Sequence, residues 1–395
     1  MTERLDVAIV GGGISGLSLA LTLARNCPAD SRVALYDRAP APSKPAAGTG
    51  LRVSALAPAS IDYLSSCGIW GEELQQRAQV YRRMRVWEAG VPRNEGVSFD
   101  ADTFSIPSLG SICANDVVCY ALYEALKTTR VELNFEQSLR TLDYEPGGVS
   151  GCCDSGMTFV ARLVVGADGI RSSVRELSKI NYLGRDYRQQ AVVAHVGSEF
   201  GHAETAWQQF NPEGPMALLP LADGRSSVVY STSPEIASQC RAMDAKALAK
   251  FLAKKSGFAL GHLTLTSDVA GFPLAAGYAQ QACIERCALI GDAAHRVHPL
   301  AGQGANLGLS DARILAECIG LSLRNGQDPG DLRELKRFER QARTKNDATL
   351  AALDVLHRTF TSSNAAMSKL RKSGMRLFNQ SGPIKSGVAK AAMGL

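Results

Sequence analysis

Gly11, Gly13 and Gly16 stand at G-x-G-x-x-G spacing, directly after the apolar run Val7 to Val10. In that position the first glycine permits a tight turn and the second lets backbone approach a pyrophosphate. The third lets a following helix pack closely on the strand, with its N-terminus facing the anion. Asp37 follows about 21 residues after Gly16, at the end of a second short apolar run, where a carboxylate can accept hydrogen bonds from a ribose. The pattern reads as dinucleotide binding and does not by itself separate NAD from FAD. A structural turn with a solvent-facing Asp37 is the plainer alternative.

A second cluster, CALIGDAAHRVHPLAGQGANLGLSDA, runs from Cys287 to Ala312. Ala288, Leu289 and Ile290 read as a strand ending at Gly291 and Asp292, a place suited to a carboxylate contacting ribityl hydroxyls. Gly302, Gln303, Gly304, Ala305 and Asn306 lead into a helix expected to begin near Ala305. Its free N–H groups and positive dipole end would favour negative charge on a reduced flavin ring, by about 0.3 to 1 kcal/mol and up to about 2 when partly buried. This supports FAD over NAD. His295 and His298 are three residues apart in an expected loop with no third ligand nearby, which argues against a metal. A structural or flavin-side histidine fits better, and a general acid or base role stays open because imidazole titrates near neutral pH.

In the third cluster, Leu163 to Glu176, a strand at Leu163 to Val165 runs into Gly166, Asp168 and Gly169. Arg171 and Arg175 are expected on one helical face, where they could hold phosphates or brace Asp168.

The elements needed to position these groups are legible. Strand, helix (Ile14 to Arg25) and strand (Arg32 to Arg38) form a βαβ unit, and helical spacing returns at Pro58 to Leu64 and Asp116 to Leu126. Alternation predicts antiparallel strands at Arg82 to Trp87, Gln189 to Val196, Thr205 to Phe210, Ala217 to Leu221 and Ser226 to Ser231, with turns at Asn211 to Gly214 and Ala222 to Arg225. After Leu332 the pattern is helical, with apolar faces at Leu335, Phe338, Leu350, Leu353 and Leu356.

Composition bounds the rest. The chain has 395 residues, 45% hydrophobic and 21% charged, with 37 Gly and 16 Pro, which excludes a small module, disorder and a fibrous repeat. Ten Cys without a C-x-x-C pair, and no cleavable leader, suit a reducing interior and a cytoplasmic setting. Residues 5 to 24 are long and apolar enough to span a bilayer, but Asp6 and the triple glycine make a buried strand-turn-helix the better reading. The net charge of +5 is uneven: after Asp354 there is no acidic residue, while Arg358, Lys369, Arg371, Lys372, Arg376, Lys385 and Lys390 follow. With only Phe360 and Phe378 available for stacking, nucleic acid is not expected.

Taken together, the three clusters resemble the class A flavin-dependent aromatic hydroxylases, specifically the ubiquinone-biosynthesis hydroxylase family, over nearly the full length. GGGISG is similar to the first FAD motif, GADGIRSSVR to the D-G motif and GDAAHRVHPLAGQGANLG to the G-D motif. LRVSALAPASIDYLSSCGIW (Leu51 to Trp70) resembles the segment that carries an FAD-contacting arginine, here Arg52. GPMALLPLADGRSSVVY and the terminal SGPIKSGVAKAAMGL are similar to the ubiquinone branch.

The resemblance implies an α/β fold: a Rossmann-like FAD-binding domain (1–75, 112–176 and 280–330), interleaved with an antiparallel-sheet substrate domain (76–111 and 177–279). A C-terminal helical region with the basic tail (331–395) completes it. It further implies that Gly11, Gly13, Gly16, Asp37 and Arg52 bind the ADP half of FAD, and that Asp292 holds the ribityl and phosphate portion. Gly302, Gly304, Ala305 and Asn306 would lie near the isoalloxazine, and Asp168 would link FAD binding to reduction by NAD(P)H. The implied reaction is hydroxylation of a polyprenyl phenol with O2. His295, His298 and Pro299 are the candidates for lining the catalytic site, and no metal is expected. Other quinone-biosynthesis proteins are candidate partners, and the basic tail a candidate peripheral contact with the inner face of the cytoplasmic membrane. The competing readings are a soluble hydroxylase for a benzoate-like substrate and a non-catalytic FAD-binding subunit.

Overall fold

The structure, a computed structural model, describes residues 4–46, 48–296, 304–344, 378–379 and 381–393. Two large sheets organise it. In the first, the strand order is Cys283–Ile284, Cys287–Leu289, Thr158–Gly166, Leu5–Val10, Val33–Asp37, Glu132–Phe135. Leu5–Val10 pairs in parallel with Thr158–Gly166 and Val33–Asp37, so its backbone is satisfied on both sides. Val7, Ala8 and Ile9 are fully buried on both faces, which is why this strand reads as an unbroken apolar run rather than an alternation. A hairpin, Leu139–Glu145 and Gly148–Cys153, pairs onto the outer part of Thr158–Gly166.

The helix Ile14–Asn26 supplies the crossover between the first two strands. It packs against Asn115–Leu126 and the long helix Gly304–Arg324, and the three share one apolar cluster with the central strands. The helix at 332–344 adds Leu335 and Phe338 to that cluster, each 1% exposed. Leu350, Leu353 and Leu356 lie outside the described residues.

The second sheet has the order His295–Arg296, Ala270–Ala279, Tyr182–Ser198, Ser226–Thr232, Gly214–Pro220, Thr205–Asn211, Arg83–Glu88, Val97–Asp100, with Leu263–Leu265 paired beside Tyr182–Ser198. The expected turns close its hairpins: Asn211 pairs with Gly214, and Gly224 takes a φ of +83° between Gly214–Pro220 and Ser226–Thr232. Pro234–Ala242 and Ala245–Lys255 cover one face and build a separate core on it. On the other face Leu219 and Leu221 pack against Ala55 and Ile112. A small sheet, Val53–Leu56, Gly110–Ala114 and Gln79–Tyr81, joins the two large sheets.

Two expectations need correction. Tyr182–Ser198 is 17 residues long, twice the alternating stretch, because a bulge between Asp186 and Gln189 carries the strand on along Ala270–Ala279 after the alternation is lost. Arg171 and Arg175 do not share a helical face: the helix is only Ser173–Leu177, so Arg171 precedes it.

Candidate functional site: a glycine cradle opening onto an apolar sheet face

The turn after Leu5–Val10 is shaped by its glycines in three ways. Gly11 has φ +120°, and a Cβ there would lie 2.3 Å from the Ala167 carbonyl. A Cβ on Gly16 would lie 1.8 Å from Gly11 O, so this glycine lets helix and strand touch. Gly13 has ordinary extended backbone (φ −80°, ψ −177°), and nothing stands within 4 Å of a Cβ built on it. The open space over Gly13 is the cavity itself, at the N-terminus of a 13-residue helix without a side-chain cap. Asp37, at the end of Val33–Asp37, accepts from the N–H groups of Gly12 and of Ala39 (2.6 Å) and lines the same cavity.

The second cluster meets this turn from the other side. Gly291–Ala293 is a single helical turn after Cys287–Leu289, with Asp292 exposed into the cavity. Gly291 and Gly308 both face Ser15: Cβ atoms on them would lie 2.8 and 2.2 Å from its hydroxyl. That contact brings the Gly304–Arg324 N-terminus beside the glycine turn, and Gly304 and Ala305 line the cavity. Asn306 is buried; its Oδ1 accepts from Ala57 N–H and its Nδ2 donates to Ala55 O, both 2.8 Å. It clamps the helix start to the segment that carries Arg52.

His295 is not brought to the cavity. It is 8% exposed, and its Nε2 lies 2.5 Å from Asp311 Oδ2, which also accepts from Gly291 N–H at 3.0 Å. Burial presses the imidazole pKa down, but the Asp311 charge and hydrogen bond outweigh it and hold it above the ordinary histidine value. His295 also starts the two-residue strand that pairs with Gly277 and Tyr278 of the second sheet. The pair thus ties the Asp292 turn, the long helix and the second sheet together. His298, Pro299 and Gly302 lie outside the described residues.

In the third cluster Asp168 lines the cavity, with Oδ2 accepting from Val174 N–H (3.2 Å) and Oδ1 buried without a partner. Burial raises its pKa above the usual carboxylate value, against the hydrogen bonds of the Ser172 to Val174 turn. Arg171 is exposed and lines the cavity. Arg175 instead braces structure: it donates to Ala293 O (2.8 Å) and Ile170 O (2.6 Å) and stacks 4.2 Å over the Tyr182 ring.

Gly11, Gly13, Asp37, Arg52, Asp168, Asp292, Gly304 and Ala305 therefore converge on one cavity of about 1000 Å³, with Gly16 and Asn306 supporting its walls. Arg52 reaches across it, its guanidinium carbon 5.6 Å from the Phe272 ring centroid. A dinucleotide fits this arrangement: an open glycine at a bare helix N-terminus with carboxylates on either side. Sequence reasoning missed Gly12, Ser15, Gly308 and Asp311. Asp311 carried a usable signal, a carboxylate inside an apolar helical stripe, which burial obliges to find a partner. The second sheet supplies the cavity's remaining wall, from residues such as Ala191, Val193, Ala217 and Val229.

Comparison with known proteins agrees with the geometry. Residues 4–347 match the FAD binding domain family. The solved p-nitrophenol 4-monooxygenase PnpA of Pseudomonas putida DLL-E4 shares the fold at a TM-score of 0.80 and 18% identity, covering 100% of this chain and 99% of its own. PqsL of P. aeruginosa, solved with 2-aminobenzoylacetate, has a TM-score of 0.77 at 25% identity, covering 91% and 97%. These place the chain in a fold class of FAD monooxygenases. Among curated proteins, the 3-demethoxyubiquinol 3-hydroxylase of Escherichia coli K12 is 33% identical over 100% of this chain and 99% of its own. The mitochondrial ubiquinone biosynthesis monooxygenase COQ6 of Homo sapiens is 34% identical over 96% and 90%. The chain belongs to the FAD-dependent monooxygenases of the ubiquinone-biosynthesis hydroxylase family. Among the described residues no helix is long and apolar enough to cross a membrane.

Proposed function

We propose that this protein hydroxylates the aromatic ring of a polyprenyl phenol in ubiquinone biosynthesis, using NAD(P)H and O2. The observation that carries the reading is the single cavity shared by the glycine cradle and an apolar sheet face: a polar dinucleotide and a greasy ring would lie against each other in it. When bound, FAD supplies the redox chemistry, taking a hydride and activating dioxygen.

The chain's own residues bind, orient and exclude water. Gly11 and Gly13 leave room for the pyrophosphate at the Ile14–Asn26 N-terminus, and Gly16 sets the helix close enough to present its N–H groups. Asp37 and Arg52 take the ADP half, Asp292 the ribityl side, and Gly304 and Ala305 offer a second helix N-terminus to the flavin ring. Asp168 stands on the wall where cofactor and reductant would meet. His295 acts at one remove, as a positioning residue through Asp311, while His298 and Pro299 remain candidates for the substrate side. The phenol would lie on the apolar face, which keeps water from the reacting atoms. In this reading the segments 1–75, 112–176 and 280–330 hold the cofactor, and 76–111 and 177–279 the substrate. The protein works beside other quinone-biosynthesis proteins in the cytoplasm, with the basic tail resting on the inner face of the membrane.

Mass spectrometry of quinone intermediates in a deletion strain tests this, with complementation by wild type and by Asp292→Ala. An under-hydroxylated prenyl phenol should accumulate and be cleared by wild type alone. An unchanged quinone pool would overturn the assignment in favour of a benzoate-like substrate, and rescue by both forms would point to a non-catalytic subunit.

A further inference from the structure

The cavity wall on the second sheet is a row rather than a patch. Phe272 pairs with Ala191 on the neighbouring strand, and two residues on, Val193 pairs with Val229. Val229 pairs with Ala217, and Ala217 with Gln208. Two residues back along that strand, Ala206 pairs with Met84, and Met84 with Phe99. All of these side chains line the cavity, and paired or i, i+2 positions share a face. The row therefore crosses seven strands, and six interstrand steps of about 4.8 Å carry it roughly 29 Å. A lone aromatic ring covers a small part of that length. Apart from the Gln208 amide the row is apolar.

Its two ends differ in chemistry. At the Phe272 end stand the Arg52 guanidinium and Arg296, which donates to Pro273 O at 2.7 Å, together with Asp292. At the Phe99 end lies the helix Gly382–Met393, from which Val388, Ala389 and Met393 complete the cavity. Ala389 and Met393 are buried against Ala101 and Leu109, with Met84 and Phe99 packed on the same cluster. Asn379 fixes the segment before the helix, its Oδ1 accepting from Ser98 N–H (3.2 Å) and from Lys385 Nζ (2.9 Å). Phe378 adds an edge contact to Phe99, with centroids 6.3 Å apart. Val388 is 47% exposed, so the row ends at the protein surface.

We propose that this row is the track for the apolar tail of the substrate, and that the helix Gly382–Met393 is the element that sets how much tail the protein accommodates. The proposal rests on the function above. An elongated, narrow, apolar strip with a polar head end and an exit at the surface suits one occupant, a ring bearing a long hydrocarbon chain. Small residues, Ala191, Ala206, Ala217 and Ala389, keep the track open, and each is a point where a large side chain would close it.

The test titrates FAD-loaded protein with phenols bearing from zero to many prenyl units, reading the change in flavin fluorescence. Affinity of the wild type should climb, roughly tenfold or more per buried unit, and then level off once the tail leaves the protein. In Ala217→Trp the rise should stop at a short tail, and in Ala389→Trp at an intermediate one, both proteins retaining FAD. A wild-type affinity independent of tail length would overturn the track while leaving the hydroxylase reading intact. So would one common plateau for all three proteins. If Ala217→Trp loses FAD, Ala389→Trp alone decides, being at the far end from the cofactor. Failure of every phenol, tailed or not, to perturb the flavin would instead overturn the function on which the track rests.

Discussion

Replacing Gly13 by alanine should separate what the fold needs from what a ligand needs. The backbone at Gly13 is extended, so an alanine meets no conformational strain, and its Cβ would have no neighbour within 4 Å. An alanine at a helix N-cap is worse than glycine by up to about 1 kcal/mol, while the restricted unfolded chain returns about 0.4 to 1 kcal/mol. The apo protein should therefore melt within about 2 °C of wild type. FAD binding should not survive as well, because the added methyl occupies the space through which a pyrophosphate reaches the helix N–H groups. Each charge-assisted bond forfeited is worth about 1.5 to 3 kcal/mol, so affinity should fall roughly 10- to 100-fold per bond. Gly16→Ala is the counterpart. Its Cβ would be 1.8 Å from Gly11 O and 3.2 Å from Ala167 Cβ, so backbone must move by more than 1 Å. Overpacking of this kind costs about 1 to 3 kcal/mol before any ligand is considered. Differential scanning fluorimetry of apo protein with and without FAD reads both, since ligand stabilisation vanishes with affinity. An unaltered FAD shift in Gly13→Ala, or a loss of apo stability matching that of Gly16→Ala, would refute the reasoning.

Asp168→Asn should stabilise the apo protein at neutral pH, by about 1 kcal/mol, because it removes a carboxylate whose Oδ1 is buried without a partner. Burial raises the folded-state pKa of Asp168, so wild type is penalised while the carboxylate is charged and recovers as pH falls through the raised value. Denaturation midpoints should thus differ at pH 7 and converge towards acid, whereas a constant gap would show that charge is not the cause; reduction of bound FAD by NAD(P)H should slow in the same variant. Flotation with anionic vesicles should recover full-length protein and lose a chain ending near Asp354, since seven basic residues follow with no acidic one, each worth roughly 1 kcal/mol near the surface. Equal flotation of the two would remove the membrane contact.

The parts of this molecule that sequence reading reached are those whose physics is local. The helix Ile14–Asn26 and the turn before it follow from three glycines and an apolar period, and both hairpin turns from Asn, Gly and Asp at fixed offsets. The strand Ala270–Ala279 escaped, because a run of Ala and Gly offers no alternation to read. His295 was legible as chemistry but not as geometry: its partner Asp311 sits 16 residues on, across a helix start, and the pair is buried away from the cavity. Asn306 likewise finds its two backbone partners about 250 residues earlier.

The substrate face shows the same division within single residues. Alternation assigns Ala206, Ala217 and Val229 to one side of their strands, whereas Phe272 and Phe99 lie on strands that it did not reach. The hairpin turns order those three strands, but the sheet beyond them depends on Thr205–Asn211 pairing in parallel with Arg83–Glu88 some 120 residues earlier. That long-range pairing, not any motif, extends the cavity past the hairpins to Met84, Phe99 and the terminal helix. The cofactor half of the site is thus written in spacing, where one shifted glycine would erase it. The tail half is written in strand order, so side-chain size along the row can vary the length of substrate accepted without touching the chemistry at the other end.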